Sequence, residues 1–190
     1  MELVIASNNR HKVYEIKKLL SGKFDRIYSL GELSITVDPE ETAPDFFGNA
    51  LIKAKAVAAC TDKAVLADDS GLEVDALGGA PGVFSARYAG EPCSDKKNNQ
   101  KLLKEMEHVT DRRARFVTAM VLLFPNGRYE VALGEVKGEI LLEEKGSNGF
   151  GYDPLFYSFE LQKTFGEATD EEKNAVSHRA RALAELLKRL

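Results

Sequence analysis

Short apolar runs separated by polar turns organise the chain. ELVIA, residues 2–6, is a nearly continuous apolar run with the length of a buried strand. SNNRHK follows as a polar turn, and VYEIKKLL continues as a helix to Ser21-Gly22. A strand, a turn and a helix in that order open an α/β unit. Residues 31–45, with Pro39, Pro44 and the Glu40-Glu41 pair, read as a loop, and Asp45 can cap a helix starting near Phe46. At about 100° per residue, Phe46, Phe47, Ala50, Leu51, Ala54, Val57 and Ala58 fall on one arc of that helix. Lys53 lies at the border of the arc, where its stem packs and its ammonium reaches outward.

Further along, KAVLADD predicts a strand ending in Asp68-Asp69, and GLEVDAL predicts another. SDKKNNQKLLKEMEHV reads as a helix capped by Ser94. RARFVTAMVLLFP and RYEVALGEVKGEI flank Asn126-Gly127, the signal of a type I′ hairpin, and the apolar run 116–124 fits a central strand. GSNGFGYDPLF, residues 146–156, is a glycine-rich aromatic loop. Thr169 to Glu172 forms a capping box before the last helical region, which a second cap at Ser177 can break. The prediction is a single domain over residues 1–190: mixed α/β, an elongated twisted sheet with flanking helices. The hairpin excludes a purely parallel sheet.

Composition adds little to that pattern but removes several classes of function. The 190 residues carry a net charge of -4, which argues against nucleic-acid binding by the surface as a whole. Cys60 and Cys93 are the two cysteines and lack metal-type spacing. No run has the length of a membrane span and the N-terminus has no leader pattern, so a cytoplasmic protein is expected.

Five clusters carry candidate chemistry. Residues 7–12 sit at a strand-to-helix turn, where free amides favour an anion and Lys12 adds charge; an ordinary capped turn is the plain alternative. Asp68 and Asp69, taken as a strand end, either hold Mg²⁺ and activate a water or form a solvated turn. Glu40 and Glu41 can supply a further carboxylate or simply face water. In GFGYDP, Phe150 and Tyr152 either stack on a base or fill the core. In KNAVSHRARAL, Arg179 falls inside an apolar stripe with His178 at its edge. The arginine must be paired, by a ligand or by a structural aspartate.

In combination these are the parts a nucleoside triphosphate needs. SNNRHK, DDSGLEVDALGGAPGVFSARYAG, GFGYDPLF and EEKNAVSHRARAL occur in that order, and together they closely resemble the inosine triphosphate pyrophosphatase family over essentially the whole chain. The resemblance implies two lobes around a central cleft, a homodimer, and Mg²⁺-dependent hydrolysis of ITP, dITP and XTP to monophosphate and pyrophosphate. An alternative is a related pyrophosphatase acting on a modified pyrimidine, dTTP or UTP.

Residue by residue, the resemblance makes Asp69 the general base and a metal ligand. Asp68, Glu41 and Glu40 join it at Mg²⁺. Ser7, Asn8, Asn9, Arg10, His11 and Lys12 cradle the triphosphate, and Lys53 reaches it from its helix. Ser70 touches substrate, Phe150 stacks on the purine, and Gly151, Tyr152 and Asp153 line the same site. Lys173, His178 and Arg179 complete recognition of base and ribose. The family often has Gly where this chain has Asn8, a residue that tolerates a left-handed turn. No nucleic acid or membrane partner is implied.

Overall fold

The computed structural model describes residues 1–190. Twelve regular elements follow one another: β1 (Glu2–Ile5), α1 (Arg10–Leu19), β2 (Arg26–Ser29), α2 (Phe46–Ala58), β3 (Ala64–Val74), α3 (Asp95–Glu105), β4 (Arg113–Leu123), β5 (Tyr129–Ile140), β6 (Phe156–Ser158), β7 (Lys163–Thr164), α4 (Asp170–Val176) and α5 (His178–Leu187). The strands form one mixed seven-stranded sheet in the order β2-β1-β3-β4-β5-β6-β7. β1 pairs in parallel with β2 and β3, whereas β5-β6 and β6-β7 are antiparallel.

The chain divides into two compact units. The first comprises residues 1–69, 118–134 and 179–190, the second residues 70–117 and 135–178.

In the first unit, alternate residues of each strand serve opposite faces of the sheet. Leu3, Ile5, Leu66, Met120 and Leu122 pack with Ile16 and Leu20 from the α1 region and Ala182, Leu183 and Leu186 of α5. Val4, Val65, Ala67, Val121 and Leu123 pack on the other face with Ala50, Ala54 and Val57 of α2. A sheet covered on both faces requires apolar side chains at consecutive positions, which is why these strands read as continuous runs. The second unit has its own core, in which Leu72, Val74, Phe116, Val136 and Ile140 meet Leu102, Leu155, Phe156 and Phe165.

The structure corrects the sequence reading in three places. KAVLADD and GLEVDAL form one eleven-residue strand, β3, so Asp68 and Asp69 lie in mid-strand rather than at a strand end. The β4-β5 connection is not type I′, because of its non-glycine residues only Ser34 and Gln162 in the chain have positive φ, leaving Asn126 outside that region. Pro125 fixes the negative φ of a type I turn. The Gly127 N–H donates to Phe124 C=O at 2.9 Å, and Gly127 itself takes φ +84°. That is the three-residue loop with a left-handed glycine. The short strands β2, β6 and β7 go unannounced by the pattern, since each has four residues or fewer.

The helix caps follow the sequence. Asp45 caps α2, Ser94 caps α3, and Thr169 with Glu172 makes the expected capping box on α4. Ser177 ends α4, and α5 begins at His178.

Candidate active site

The two carboxylates of β3 answer their mutual repulsion by pointing to opposite faces. Asp68 faces α1 and α5. Its Oδ2 lies 3.0 Å from Lys12 Nζ and 3.4 Å from Arg179 Nε, and Arg179 Nη1 lies 2.8 Å from Glu15 Oε2. Burial pushes the Asp68 carboxyl up, but Lys12, Arg179 and Lys53 together outweigh it and hold the group well below the usual carboxylate range. Burial lowers the Lys12 ammonium by more than Asp68 restores. An arriving phosphate would therefore be welcome beside it.

Asp69 faces α2. Lys53 Nζ lies 3.0 Å from Asp69 Oδ1 and 2.9 Å from Glu41 Oε1, so one ammonium joins the loop carboxylate to the strand carboxylate. Asn49 Nδ2 donates to Asp69 Oδ2 at 3.3 Å, and its Oδ1 accepts from the Ala43 N–H at 2.9 Å. Thr118 Oγ1 donates to the Asp69 carbonyl at 3.1 Å. Burial raises the Asp69 pKa above the ordinary value, and the lowering by Lys53 and Lys12 does not cancel it. Burial also lowers Lys53, but Asp69, Asp68 and Glu41 reverse the sign and raise it. A buried carboxylate with a raised pKa is a better proton acceptor than a free one.

The turn before α1 is capped from within. Asn9 Oδ1 accepts from the His11 N–H at 2.9 Å and the Lys12 N–H at 3.2 Å, and Ser7 Oγ accepts from the Asn9 N–H at 3.2 Å. Those amides are not free, so the expected cradle of open N–H groups is replaced there by a side-chain cap. Asn9 has φ -80° and the turn contains no left-handed residue, so the glycine often found at position 8 is not needed for conformation. Asn8 Nδ2 donates to the Val37 carbonyl at 3.2 Å. Arg10 and His11 are exposed.

In the second unit the aromatic loop closes on a buried ion pair. Lys173 Nζ lies 2.7 Å from Asp153 Oδ2 and 4.9 Å from the centre of the Phe150 ring. Asp153 Oδ2 also accepts from the Phe150 N–H at 2.9 Å. Gly149 has φ +73°, and a Cβ there would come within 2.0 Å of the same carboxylate oxygen. Only glycine fits that corner. His178 stacks on Phe116 with ring centres 5.1 Å apart. Tyr152 is buried and donates to the Ser85 carbonyl at 2.7 Å, so it takes the core role the sequence left open, while Phe150 is half-buried. Ser70, half-buried, follows Asp69 on β3.

The expected metal set is only partly gathered. Glu40 is exposed, and Glu41 is the member of that pair that reaches Lys53. No group of three or more His, Cys, Asp or Glu side chains forms a metal cage. The donor chemistry still suits Mg²⁺, which binds through one or two carboxylates plus phosphate oxygens and water. Glu41 and Asp69 already converge on a cation, the Lys53 ammonium. Asp68 Oδ1 is buried without a hydrogen-bond partner.

The expected trio Lys173, His178 and Arg179 divides between the two units. Lys173 and His178 belong to the second, and Arg179 belongs to the first with Asp68 and Glu15. Sequence reading missed Asn49 and Glu15. Asn49 stands one helical turn before Lys53, and Glu15 three residues after Lys12, so each shares a face with a residue already singled out. A polar residue beside the apolar arc of α2 was the available signal for Asn49.

The sequence profile of the Ham1 family matches residues 3–189. The chain belongs to the Ham1 family. Among its relatives, a protein named dITP/XTP pyrophosphatase from Desulforamulus reducens is 50% identical, covering 100% of this chain and 97% of the relative. The solved Ham1 protein of Staphylococcus aureus superposes with a TM-score of 0.88 at 44% identity, covering 99% of this chain and 97% of that one. A Mycobacterium abscessus structure described as a nucleoside-triphosphatase and dITP/XTP pyrophosphatase gives 0.78 at 42% identity, covering 98% of this chain and 99% of that one.

Proposed function

We propose that residues 1–190 act as one Mg²⁺-dependent nucleoside-triphosphate pyrophosphohydrolase. It removes noncanonical purine nucleotides, ITP, dITP and XTP, from the nucleotide pool of the cytoplasm, and works as a homodimer. The observation that carries the reading is the sharing of Lys53 by Asp69 and Glu41, in a chain half identical to a protein named for this activity.

The triphosphate binds against Lys12 and Lys53, with Ser7, Asn8, Asn9, Arg10 and His11 shaping the turn and Ser70 contacting the substrate. Glu41 and Asp69 would hold Mg²⁺, whereas Asp68, expected beside them, lies on the opposite face of β3 and holds Lys12 and Arg179 instead. When bound, the ion neutralises charge on phosphate oxygens. Asp69 accepts a proton from water, whose oxygen bonds to the α-phosphorus. The bond from that phosphorus to the bridging oxygen breaks, and the electron pair leaves with pyrophosphate. The products are the monophosphate and pyrophosphate.

Phe150 stacks on the purine. Lys173, His178 and Arg179 act at base and ribose, where hydrogen-bond donors suit the 6-oxygen of hypoxanthine or xanthine. The same donors would meet the amino group of adenine, leaving polar groups unpaired. Lys173 is held for this role by Asp153.

The test is to incubate the protein with Mg²⁺ and ITP, XTP, GTP or ATP separately and resolve the products. IMP and XMP with pyrophosphate, with little GMP or AMP and no turnover in EDTA, are the expected result. Orthophosphate release, or equal attack on all four, would overturn it.

A further inference from the structure

We propose that Asp95 and Asn99 of α3 are positioning residues that clamp the Gly151 peptide and thereby fix the Phe150 ring for the purine. The inference rests on the proposed function and assigns a task to a helix that none of the site motifs includes.

Asp95 and Asn99 are four residues apart, so they lie one above the other on α3. The Gly151 N–H donates to Asp95 Oδ2 at 2.8 Å, and the Gly151 carbonyl accepts from Asn99 Nδ2 at 3.2 Å. The first bond fixes the plane of the peptide joining Phe150 to Gly151, and the second fixes the plane of the next. Gly151 sits at φ +62° and has no side chain to hold it. Glycine is the residue with the most backbone freedom to lose, and it lies directly beside the stacking aromatic. The neighbours are held by other groups: Phe150 N–H by Asp153, and the Tyr152 hydroxyl by the Ser85 carbonyl. Without α3, Gly151 would be the loose link between them.

Asn99 is itself fixed in orientation. Its Nδ2 also donates to Glu144 Oε1 at 2.9 Å, so both hydrogens face oxygen acceptors and the amide cannot be flipped without repulsion. Its Oδ1 is buried and accepts no hydrogen bond.

The test is steady-state kinetics with Mg²⁺ and ITP, beside inhibition by inorganic tripolyphosphate, which has no base. Asn99→Leu is expected to raise KM for ITP about tenfold with kcat within about threefold of wild type, the loss of a hydrogen bond's worth of binding. The tripolyphosphate inhibition constant should stay unchanged. Asp95 is exposed, so its variants will fold if Asn99→Leu does not. Asp95→Ala should raise KM about threefold, and Asp95→Asn, which retains an acceptor for the Gly151 N–H, should return it to within about twofold. Unchanged KM in Asn99→Leu and Asp95→Ala, or an equal loss of tripolyphosphate affinity, would overturn the clamp while leaving the proposed function standing. Failure of the wild-type protein to form IMP from ITP would overturn both.

Discussion

Lys53 and Asp69 are joined across α2 and β3 at 3.0 Å, and the same ammonium holds Glu41 at 2.9 Å. The pair places a buried carboxylate, an ammonium and a loop carboxylate within one cluster. Asp69→Asn keeps the shape and removes the base. We expect kcat on ITP to fall about 100-fold or more while nucleotide still binds. Rapid-quench turnover beside equilibrium binding of ITP checks this, and near-normal turnover would remove Asp69 from the role.

Asn49 ties the other oxygen of Asp69 to the backbone of the loop that carries Glu41. Asn49→Ala strands the Ala43 N–H and weakens the hold on the carboxylate. The expected cost is about 1–3 kcal/mol of stability, with a lower kcat. Urea unfolding and kinetics on the same preparation measure the two effects.

Asp68 is the counter-charge for Lys12 and Arg179. Asp68→Asn leaves the buried Arg179 and the half-buried Lys12 facing a neutral amide. Removing one partner of a buried pair costs about 3–5 kcal/mol, so the urea midpoint at pH 7 should fall sharply. An unchanged midpoint would mean that water or Glu15 compensates.

Glu32 provides a pH signature away from the site. Lys17, the Ser29 N–H and the Ser29 hydroxyl lower its pKa to about 2. A depressed carboxyl pKa stabilises the fold above the unfolded value of about 4.3, and that stabilisation is lost as pH falls through the folded one. The Glu32 side chain is 52% exposed, so the contribution at pH 7 is only about 0.5–1 kcal/mol. The gap in Tm between wild type and Glu32→Gln should therefore shrink as pH drops from 4.5 toward 2.

Much of this was legible in the chain. The runs at 2–6, 63–69 and 116–124 announce strands, and Asp45, Ser94 and Thr169 mark three helix starts. Candidate residues were found by type, because few side chains can bind phosphate, accept a proton or stack on a base. Tyr152 and Asn9 show the limit of type. The first is a core residue with its hydroxyl on Ser85, and the second spends its amide oxygen capping α1.

The sequence by itself determined the main strands and helices and the caps, and it singled out candidate residues by type, since these depend on local periodicity and residue chemistry. Only the tertiary structure decided the partners. That Asp68 meets Lys12 and Arg179, that Asp69 meets Lys53 and Asn49, and that Gly151 is held by α3 are contacts between residues up to 111 positions apart. Such pairings follow from which face of a strand a helix covers. Local propensity does not encode that choice; it emerges when the whole sheet buries its apolar surface.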